Sequence, residues 1–594
     1  MRSFRPYNRH VVTTLALLGA LAAAGPSAFA QGKPTAADGC PSHDSGLKLA
    51  PGFCATVFAD KIGHARHMVV ASDGVLYVNT WSGVYYGNDK PPAGGFLVAL
   101  QDKSGGGKAD TVERFGETVQ TGGAGGTGIG LYKGFLYAEI NDRIVRYAMM
   151  AGSVVPKGAP EVVVAGLPLG GDHPMHPFAI DADGSLFVDV ATATNACQET
   201  NRTLQSPGIK PCAELETRGG IWRYDANKTN QKFSPAERYA TGIRNADGIA
   251  VDPSGRGLYS TQHGRDQLAE NWPALYKPEQ GATLPAEVLL QIQKGGDYGW
   301  PQCYYDPVQR KLVLAPEYGG DGGKEVGECA GKRPPVAAFP AHWAPDDLLI
   351  YGGKEFPARY RNGAFIAFHG SWNRAPFPQA GYNLVFQPLA AGKTTGQCEI
   401  FADGFAGRMK DPGKAPHRPT GLALAPDGAL YISDDVRGRI YRVTYMGGES
   451  ADAKATACPS ANASAGKMSA VPALPPEGLK KDAGAAAKAD LAVPPGATRQ
   501  TVALGDRIYH AQVGMATCTG CHGGDGAGTP LGPNLTANKW QWSDGSYDGI
   551  KKVIADGVAK PKSYRAPMPP MGGAQLTPDQ VSAVAAYVWA LSHH

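Results

Sequence analysis

The chain has 594 residues, which is enough for several domains, and its 79 glycines and 47 prolines favour a turn-rich, mainly β body. Its formal net charge of +4, with lysine and arginine scattered along the chain, argues against nucleic-acid binding. The N-terminus places Arg2, Arg5 and Arg9 before an apolar run (11–24) that ends at AFA (28–30), which is the pattern of a cleaved signal peptide. Because that run is too short to span a bilayer, we expect a periplasmic protein that does not cross the membrane.

The ten cysteines fall into two groups. Cys518 and Cys521 belong to a C-x-x-C-H motif, whereas the other eight form an even set, which in an exported chain indicates disulfides. Pairing each of these eight with its neighbour along the chain predicts four disulfides: Cys40–Cys54, Cys197–Cys212, Cys303–Cys329 and Cys398–Cys458.

A short unit, in which a glycine-containing turn leads into an alternating apolar strand, occurs six times. Its copies are ASDGVLYV (71–78), LYKGFLYA (131–138), DADGSLFV (181–188), DPSGRGLY (252–259), YRNGAFIA (360–367) and APDGALYI (425–432). Several are followed by a second strand, as in DRIVRY (142–147), GGIWRY (219–224) and GRIYRV (438–443). Small antiparallel sheets repeated in this way bury their faces against neighbours around a ring, which predicts a six-bladed β-propeller. Unrelated hairpins in a β-sandwich are the alternative that DG turns alone permit.

The repeats are unevenly spaced, and the longest interval separates Gly255 from Gly363. We therefore expect long loops there, which in such folds usually build the site. Residues 448–499 are rich in Ala, Pro and Lys, which is typical of a flexible linker. Helical patterning returns near Thr501, and residues 577–591 form a capped amphipathic pattern. The expected organisation is thus a signal peptide (1–30), a propeller (31–447), a linker (448–499) and a small all-α domain (500–594).

The sequence CTGCH at 518–522 carries the chemistry of the C-terminal domain. Cys518 and Cys521 supply thiols for thioether bonds to haem vinyl groups, and His522 supplies an imidazole for the iron. A zinc site would need a second C-x-x-C, which the sequence lacks, and a redox dithiol would need a surrounding βαβ pattern. The motif therefore predicts a covalently attached haem c.

Residues 500–594 resemble a class I cytochrome c domain. The resemblance rests on a helix before CTGCH, a glycine-rich stretch after it, LGPNL (531–535), APMPPMGG (566–573) and a last helix containing Tyr587 and Trp589. It implies that a methionine ahead of the last helix is the sixth iron ligand. Met568 fits that position best, and Met571 is the competitor. A thioether ligand raises the haem potential, which suits an electron carrier.

Six motifs in the propeller region share a second resemblance. They are GGDHPMH (170–176), GIRNADG (242–248), STQHGRDQ (260–267), GGDYGWP (295–301), HGSWNR (369–374) and PHRPTG (416–421). In this combination and order they resemble the soluble pyrroloquinoline quinone (PQQ) dependent sugar dehydrogenases, a six-bladed propeller family, from about Leu47 to Tyr445. HGSWNR and NAC (195–197) are closer to the sorbosone and pyranose dehydrogenase branch than to the glucose enzymes.

This resemblance implies roles for individual residues. His173 matches the general base that takes the proton of the sugar hydroxyl, and Asp172 matches the acidic neighbour that stabilises the imidazolium ion. A calcium ion against the quinone oxygens is expected on the backbone carbonyls of Gly264 and Arg265.

The carboxylates of PQQ need fixed cations and hydrogen-bond donors. The resemblance assigns these contacts to four residues: Arg244, Asn245, Arg374 and Arg418. This sequence departs from the glucose enzymes in placing Asn373 where they have a lysine, and only Arg418 where they have two arginines. Lys354 is a candidate substitute for the missing cation.

Together these features predict a quinohaemoprotein dehydrogenase, an oxidoreductase acting on CH–OH or aldehyde groups of an aldose, sorbosone or related polyol. Haem c would take the electrons one at a time and pass them to a soluble cytochrome or a membrane respiratory chain. One alternative is a calcium-dependent propeller hydrolase or lactonase, which needs carboxylates and asparagines at the ring centre. Another is a non-enzymatic electron-transfer module whose propeller docks a partner.

Overall fold

A computed structural model of the chain describes residues 40, 42, 44–82, 92–117, 124–255, 257–412, 414–447, 455–462, 491–510, 513, 516, 518–529, 531–564, 566–574 and 576–593. The predicted signal peptide lies outside these residues, as do 448–454 and 463–490 of the predicted linker. Within the described part of the chain, no helix has both the length and the apolar character needed to cross a membrane.

Most described strands belong to six antiparallel sheets, which are the blades of a β-propeller. Blade 1 contains Ala65–Val70, Leu76–Ser82, Leu97–Gln101 and Thr111–Phe115; blade 2 contains Ile129–Tyr132, Phe135–Ile140, Arg143–Ala148 and Glu161–Ala165; blade 3 contains Phe178–Ile180, Ser185–Val190, Gly220–Asp225 and Arg238–Thr241. Blade 4 contains Ile249–Val251, Leu258–Gln262, Glu287–Ile292 and Ala337–Phe339; blade 5 contains Pro345–Ile350, Ala364–Phe368, Asn383–Gln387 and Glu399–Asp403; blade 6 contains Pro419–Leu424, Leu430–Asp434, Arg439–Tyr445 and Phe53–Ala59.

The N-terminal strand of the propeller closes the ring. Phe53–Ala59 pairs antiparallel with Arg439–Tyr445 and so completes blade 6 with a strand from the opposite end of the domain sequence. Three short strands extend other blades: Ala124–Gly125 on blade 1, Gln231–Lys232 on blade 2 and Lys48–Leu49 on blade 5. Two-stranded sheets lie outside the blades, formed by Cys303–Asp306 with Lys311–Leu314 and by Leu389–Ala390 with Lys393–Thr394.

The six sequence repeats are confirmed as the hairpins that join the first two strands of the six blades. Five of the six turn glycines adopt positive φ, as at Gly74 (86°) and Gly428 (95°), whereas in the fifth repeat Asn362 (60°) does so in place of Gly363; a β-branched residue could not adopt this conformation without strain. These hairpins define one edge of the ring. The connections between the second and third strands, and those between successive blades, lie on the opposite edge, which we call the loop face.

All four predicted disulfides form: Cys40–Cys54, Cys197–Cys212, Cys303–Cys329 and Cys398–Cys458. The last of them holds part of the predicted linker against blade 5. There, Cys458 N donates to Cys398 O (2.8 Å) and Ile400 N donates to Thr456 O (2.8 Å). Residues 455–462 therefore extend the propeller structure beyond the predicted boundary at 447.

The long interval between the fourth and fifth repeats contains the expected loops. They include the short helices Leu268–Asn271 and Pro278–Gly281 and the 3-10 turns Pro316–Tyr318 and Gly327–Gly331. The segment that follows the third strand of blade 4 runs beside the last strand of blade 3, and there Tyr298 N donates to Thr241 O (3.0 Å). This segment thereby reaches the loop face. The other 3-10 turns are Ala213–Glu216, Pro235–Glu237, Ala358–Tyr360 and Pro570–Gly573.

The C-terminal domain is helical, as predicted, with helices Arg499–Tyr509, Cys518–His522, Tyr547–Asp556 and Pro578–Leu591. Thr577 caps the last helix by accepting from Gln580 N (3.3 Å), while the Gln580 side chain accepts from Thr577 N (2.9 Å). The first and last helices cross closely, since a Cβ atom on Gly505 would lie 1.9 Å from Ala583 O. This crossing forms the apolar core beneath the haem motif.

Candidate active site and haem centre

The loop face gathers the site residues predicted in the propeller. They precede the first strands of blades 3, 4 and 6 or follow the second strands of blades 4 and 5: Asp172, His173, Arg244, Asn245, Gly264, Arg265, Arg374 and Arg418. Lys354 is different, because it lies exposed in the hairpin connection of blade 5, at the opposite edge of the ring. It therefore cannot replace the missing cation of the site.

His173 is buried and held in one orientation. Its Nδ1 lies 2.8 Å from Thr192 O, and a proton on Nδ1 donated to that carbonyl leaves Nε2 as the basic nitrogen. Burial, reinforced by the nearby Arg244 cation, lowers the pKa of His173 well below its usual value. The imidazole is therefore neutral at neutral pH and can accept a proton at Nε2.

Asp172 makes its principal ion pair with Arg202. Its Oδ2 accepts from Arg202 Nε (3.0 Å) and Nη2 (2.7 Å), and both side chains are buried. This guanidinium compensates the negative charge of Asp172. Asp172 is thus adjacent to His173 in sequence, but the support it was expected to give an imidazolium ion is weakened by Arg202.

A second buried carboxylate, Asp266, connects the loops around His173. Its Oδ2 accepts from Arg202 Nη2 (3.1 Å) and Arg244 Nη2 (3.0 Å), and its Oδ1 accepts from Asn373 Nδ2 (2.7 Å). Although burial opposes ionisation, Arg244 and Arg202 hold the pKa of Asp266 well below its usual range. Four loops are thereby fastened by one charged network.

Sequence analysis did not single out Asp266 or Arg202. Asp266 is the last residue of the HGRD motif, and its negative charge within that motif could have identified it as a site residue. Arg202 lies in no motif. It reaches the site on the loop that the Cys197–Cys212 disulfide closes. Asn195, from the NAC pattern, joins the same network because its Oδ1 accepts from Arg244 Nη2 (3.0 Å).

The other predicted PQQ contacts are also fixed on the loop face, the two arginines by hydrogen bonds to backbone carbonyls and Asn245 by a carboxylate. Arg374 donates to Ala282 O (2.9 Å), Ala341 O (3.1 Å) and Pro378 O (3.1 Å). Arg418 donates to His369 O (3.1 Å) and to Gly370 O. Asn245 Nδ2 donates to Asp247 Oδ2 over a long distance of 3.5 Å. The structure thus brings Arg244 into the network around His173, whereas these contacts anchor Arg374 and Arg418 to neighbouring loops.

A small cavity opens beside Arg244. Its wall combines cationic, imidazole and aromatic groups: Arg244, His263, Arg265, Trp300, Tyr304 and Tyr305. Trp300 is oriented by its Nε1, which donates to Asn195 O (3.0 Å). A flat, anionic, aromatic cofactor fits such a wall, because it can stack on aromatic faces and pair with guanidinium groups.

The predicted calcium carbonyls border the same cavity. Gly264 O accepts from Arg244 Nη1 (3.1 Å), and a carbonyl oxygen has a second lone pair for a metal ion. The Arg265 side chain pairs with Glu317 and with Asp266 O (3.0 Å) and so holds this loop in place. Carbonyl oxygens are suitable calcium ligands, so the segment fits the ion in the kind of donor it presents.

A cluster of charged groups that sequence analysis missed lies at the ring centre. Arg66 of blade 1 reaches Asp247 at the start of blade 4 (Nη2 to Oδ2, 3.9 Å), and these blades lie on opposite sides of a six-bladed ring. Asp247, His263 and Asp346 offer potential metal ligand atoms within 4.8 Å of one another. However, Arg66 Nη1 lies 3.2 Å from Asp346 Oδ2 and compensates its charge. An imidazole and a guanidinium make this cluster unlike the all-oxygen sites that calcium prefers.

The haem motif lines a cleft with mainly apolar walls. Both methionines pack against the helical core, but Met568 borders the cleft together with Cys518, Cys521 and His522, whereas Met571 is not part of the cleft lining. Burial raises the pKa of the Cys518 and Cys521 thiols to about 12 and about 11, and neither is in a disulfide. His522 Nδ1 lies 2.9 Å from Pro533 O, which leaves Nε2 for an iron ion. Two free thiols, an oriented imidazole and a thioether around one apolar cleft fit a c-type haem.

Comparison with known proteins identifies both domains. The TrAA12-like family model matches residues 47–446, and the cytochrome c family model matches residues 502–592. A PQQ-dependent pyranose dehydrogenase of Coprinopsis cinerea is 26% identical over 236 residues, which are 35% of this chain and 31% of the relative. The chain spans between 27% and 51% of the length of this and other curated relatives.

Two solved structures share the propeller fold. The holo form of the PQQ domain of the Coprinopsis cinerea pyranose dehydrogenase aligns with a TM-score of 0.52 at 18% identity, covering 68% of this chain and 98% of that one. A calcium structure of a Trichoderma reesei carbohydrate-active enzyme of family AA12 aligns with a TM-score of 0.51 at 19% identity, covering 67% and 97%.

Proposed function

The chain belongs to the TrAA12-like family of PQQ-dependent sugar dehydrogenase propellers and carries a C-terminal cytochrome c domain, and from this premise we propose that it is a periplasmic quinohaemoprotein dehydrogenase. Its substrate would be an aldose, sorbosone or related polyol. The observation that carries the proposal is the neutral, oriented imidazole of His173 beside Arg244, in a chain that also builds a haem cleft. The four disulfides suggest an exported protein, which supports the periplasmic assignment.

The residues of the propeller would each perform one task in this reaction. His173 would accept the hydroxyl proton of the substrate at Nε2 while Thr192 O holds Nδ1. Arg244, Arg374 and Arg418 would bind the carboxylates of PQQ, with Asn245 as a further donor. PQQ, when bound, supplies a two-electron acceptor for hydride, and calcium on the carbonyls of Gly264 and Arg265 supplies a Lewis acid. Arg244 would then exchange part of its contact with Asp266 for the cofactor.

The cytochrome c domain implies transfer of electrons to a redox partner. Haem c, when bound, supplies a one-electron carrier, so each substrate requires two successive transfers. In this chain Cys518 and Cys521 would hold the haem covalently, while His522 Nε2 and the Met568 sulfur would bind its iron. The final acceptor would be a soluble cytochrome or a component of a membrane respiratory chain.

The test is a panel of aldoses and polyols given to the purified haem protein after loading with PQQ and calcium. We expect haem reduction and dye reduction that require PQQ, and loss of both activities on chelation with recovery on adding calcium. Protein kept without PQQ is the control. Failure of every panel member to reduce dye or haem in the loaded protein would reject the dehydrogenase proposal, whereas activity that survives complete chelation would reject the calcium assignment alone.

A further inference from the structure

The haem domain contacts the loop face of the propeller. The propeller side of the contact comes from the connections between second and third strands of blades 3, 4 and 5: Arg202, Thr203, Gln267, Trp372 and Ala375. The cytochrome side comes from the haem motif and two cleft segments: Gly520, Cys521, Gly524, Leu531 and Ala566. We call these two sets together the haem-docking surface. It covers the face that also contains His173 and Arg244.

The polar part of this surface is a chain of three hydrogen bonds. Asp172 Oδ2 accepts from Arg202 Nη2 (2.7 Å), Arg202 Nη1 donates to Gln267 Oε1 (2.9 Å), and Gln267 Nε2 donates to Gly520 O (2.9 Å). Gly520 lies between the two haem cysteines. Because Arg202 and Gln267 are both buried, these bonds are shielded from water. The residue beside the proposed base is thus connected to the haem motif by two side chains.

The apolar part of the surface is also a wall of the haem cleft. Ala375 and Trp372 of the propeller pack in one cluster with Cys521, Leu531 and Ala566 of the haem domain. The last three residues line the haem cleft. The edge of the cleft that carries the second thioether cysteine therefore faces the propeller rather than solvent.

Building on the dehydrogenase function proposed above, we propose that the haem-docking surface is a preformed electron-transfer contact and that Gln267 and Arg202 are its positioning residues. A preformed contact differs from the freedom of movement that the predicted flexible linker (448–499) would give the haem domain. Oxidation of one CH–OH group to C=O releases two electrons and two protons: the hydroxyl proton would pass to His173, and the C–H hydrogen would leave as hydride to PQQ, its proton passing to solvent as the two electrons move on. The haem iron takes them singly, cycling between ferric and ferrous, and gives each to an external one-electron acceptor. Two acceptor molecules are therefore reduced for each substrate.

Two variants test the docking contact from opposite sides. In Gly524→Ala the new methyl would lie 1.9 Å from Thr203 Oγ1, and the φ of Gly524 lies outside the left-handed region, so the clash with the propeller is its main consequence. Gln267→Glu keeps an acceptor for Arg202 but replaces the donor to Gly520 O with a carboxylate oxygen. Gly331→Ala is the matched control, because Gly331 is exposed and a Cβ atom there meets open space.

The measurements are stopped-flow haem reduction by substrate, steady-state reduction of a dye that accepts electrons from the propeller, and hydrogen exchange of segments 200–206 and 518–524. In the unaltered chain, haem reduction should be first order and independent of protein concentration. Both variants should slow it by ~10²-fold, because a small misplacement of reacting groups has that effect, while dye turnover stays near the control. Exchange should rise in both segments. Adding Thr203→Gly to Gly524→Ala should restore the rate, since it removes the atoms that the methyl meets.

The proposal is overturned if haem reduction and exchange in both variants equal those of Gly331→Ala, or if haem reduction in the unaltered chain scales with protein concentration. A chain in which no sugar reduces dye or haem would instead overturn the dehydrogenase function. In that case the exchange experiment, performed on the haem protein without substrate, still decides whether the docking surface exists.

Discussion

The haem centre and the propeller site are built in opposite ways. The haem centre takes its two thiols and its proximal imidazole from five consecutive residues on one short helix, Cys518–His522. The propeller site takes His173, Arg244, Asp266 and Asn373 from loops of three blades and joins them through buried charges. A contiguous site depends on its covalent bonds, whereas a distributed site depends on the fold and on charge balance. The two sites should therefore respond differently to substitution.

The largest effect is expected from breaking the contiguous site. Replacing both haem cysteines with serine, Cys518→Ser with Cys521→Ser, should abolish covalent haem completely, because serine cannot form the thioether bonds. Dye-linked sugar oxidation by the propeller should persist. Haem staining after denaturing electrophoresis and a dye assay measure the two outcomes. Covalent haem in the double variant would contradict the assignment of CTGCH.

The second effect concerns the base of the distributed site. His173→Gln keeps a side-chain donor for Thr192 O but removes the basic nitrogen, so substrate oxidation should fall by ~10²- to 10⁴-fold. The haem absorption spectrum should not change, because His173 belongs to the propeller. The measurement is kcat with dye as acceptor, together with the reduced spectrum. A variant that retained most of its turnover would remove His173 from the mechanism.

The contrast between the two sites also explains what could be predicted from the sequence. The blade count could be predicted because each repeat turn contains a residue at positive φ, a glycine in five repeats and Asn362 in the other, and the haem motif could be predicted because its spacing is fixed by chemistry. The disulfide partners were correct because each of the eight cysteines pairs with its neighbouring cysteine along the chain, even where 60 residues separate them, as for Cys398 and Cys458. The roles assigned to His173, Arg374, Arg418 and the calcium carbonyls remain predictions.

Long-range contacts were not readable in the same way. Arg202 pairs with Asp172, 30 residues away, and with Asp266, 64 residues away, and no local pattern marks such partners. The Arg66 cluster depends on the ring bringing opposite blades together. The contact between the haem domain and the propeller was not predicted, because a segment rich in Ala, Pro and Lys indicates a flexible linker. Its composition does not indicate which surface the following domain contacts.

The third effect tests the dependence of the distributed site on charge balance. Arg202→Met should remove one buried cationic partner from both Asp172 and Asp266, although Asp266 keeps Arg244, and should lower the apparent stability of the propeller by about 3–5 kcal/mol. The matched control is Arg223→Met, since the Arg223 side chain is 47% exposed and its contact with Asp183 is long (3.9 Å). Arg223→Met should change the apparent stability of the propeller by no more than about 0.5 kcal/mol. Calorimetric melting of both proteins measures the difference, and equal melting temperatures would refute the role given to the Arg202 network.

A smaller effect is expected from pH. Because burial and Arg244 lower the pKa of His173, the neutral imidazole predominates above that pKa and is lost as the pH falls through it. The acid limb of kcat should therefore lie below the ordinary histidine value of 6.5. The acid limb should be absent from the pH profile of kcat measured for the residual activity of His173→Gln. A limb centred at or above 6.5 would mean that another group, or the cofactor, controls the proton.

The smallest effect is expected from substitutions that test which of two methionines, Met568 or Met571, binds the haem iron. Both side chains pack against the helical core, but Met568 also borders the haem cleft, whereas Met571, which has a positive φ of 54°, is not part of the cleft lining. Met568→Leu should remove the sulfur-to-iron absorption band near the red end of the oxidised spectrum and lower the haem potential, because the thioether's preference for ferrous iron is lost. Electrons would then move less favourably to the haem, while dye reduction by the propeller continues. Met571→Leu is the matched control, because it changes the same side chain on the same loop and should keep the band. If the band instead vanished only in Met571→Leu, Met571 would be the ligand, and the loop would have to turn that side chain away from the core. The haem centre would still be contiguous at its cysteines and histidine, but its sixth ligand would depend on loop conformation, as the propeller site does.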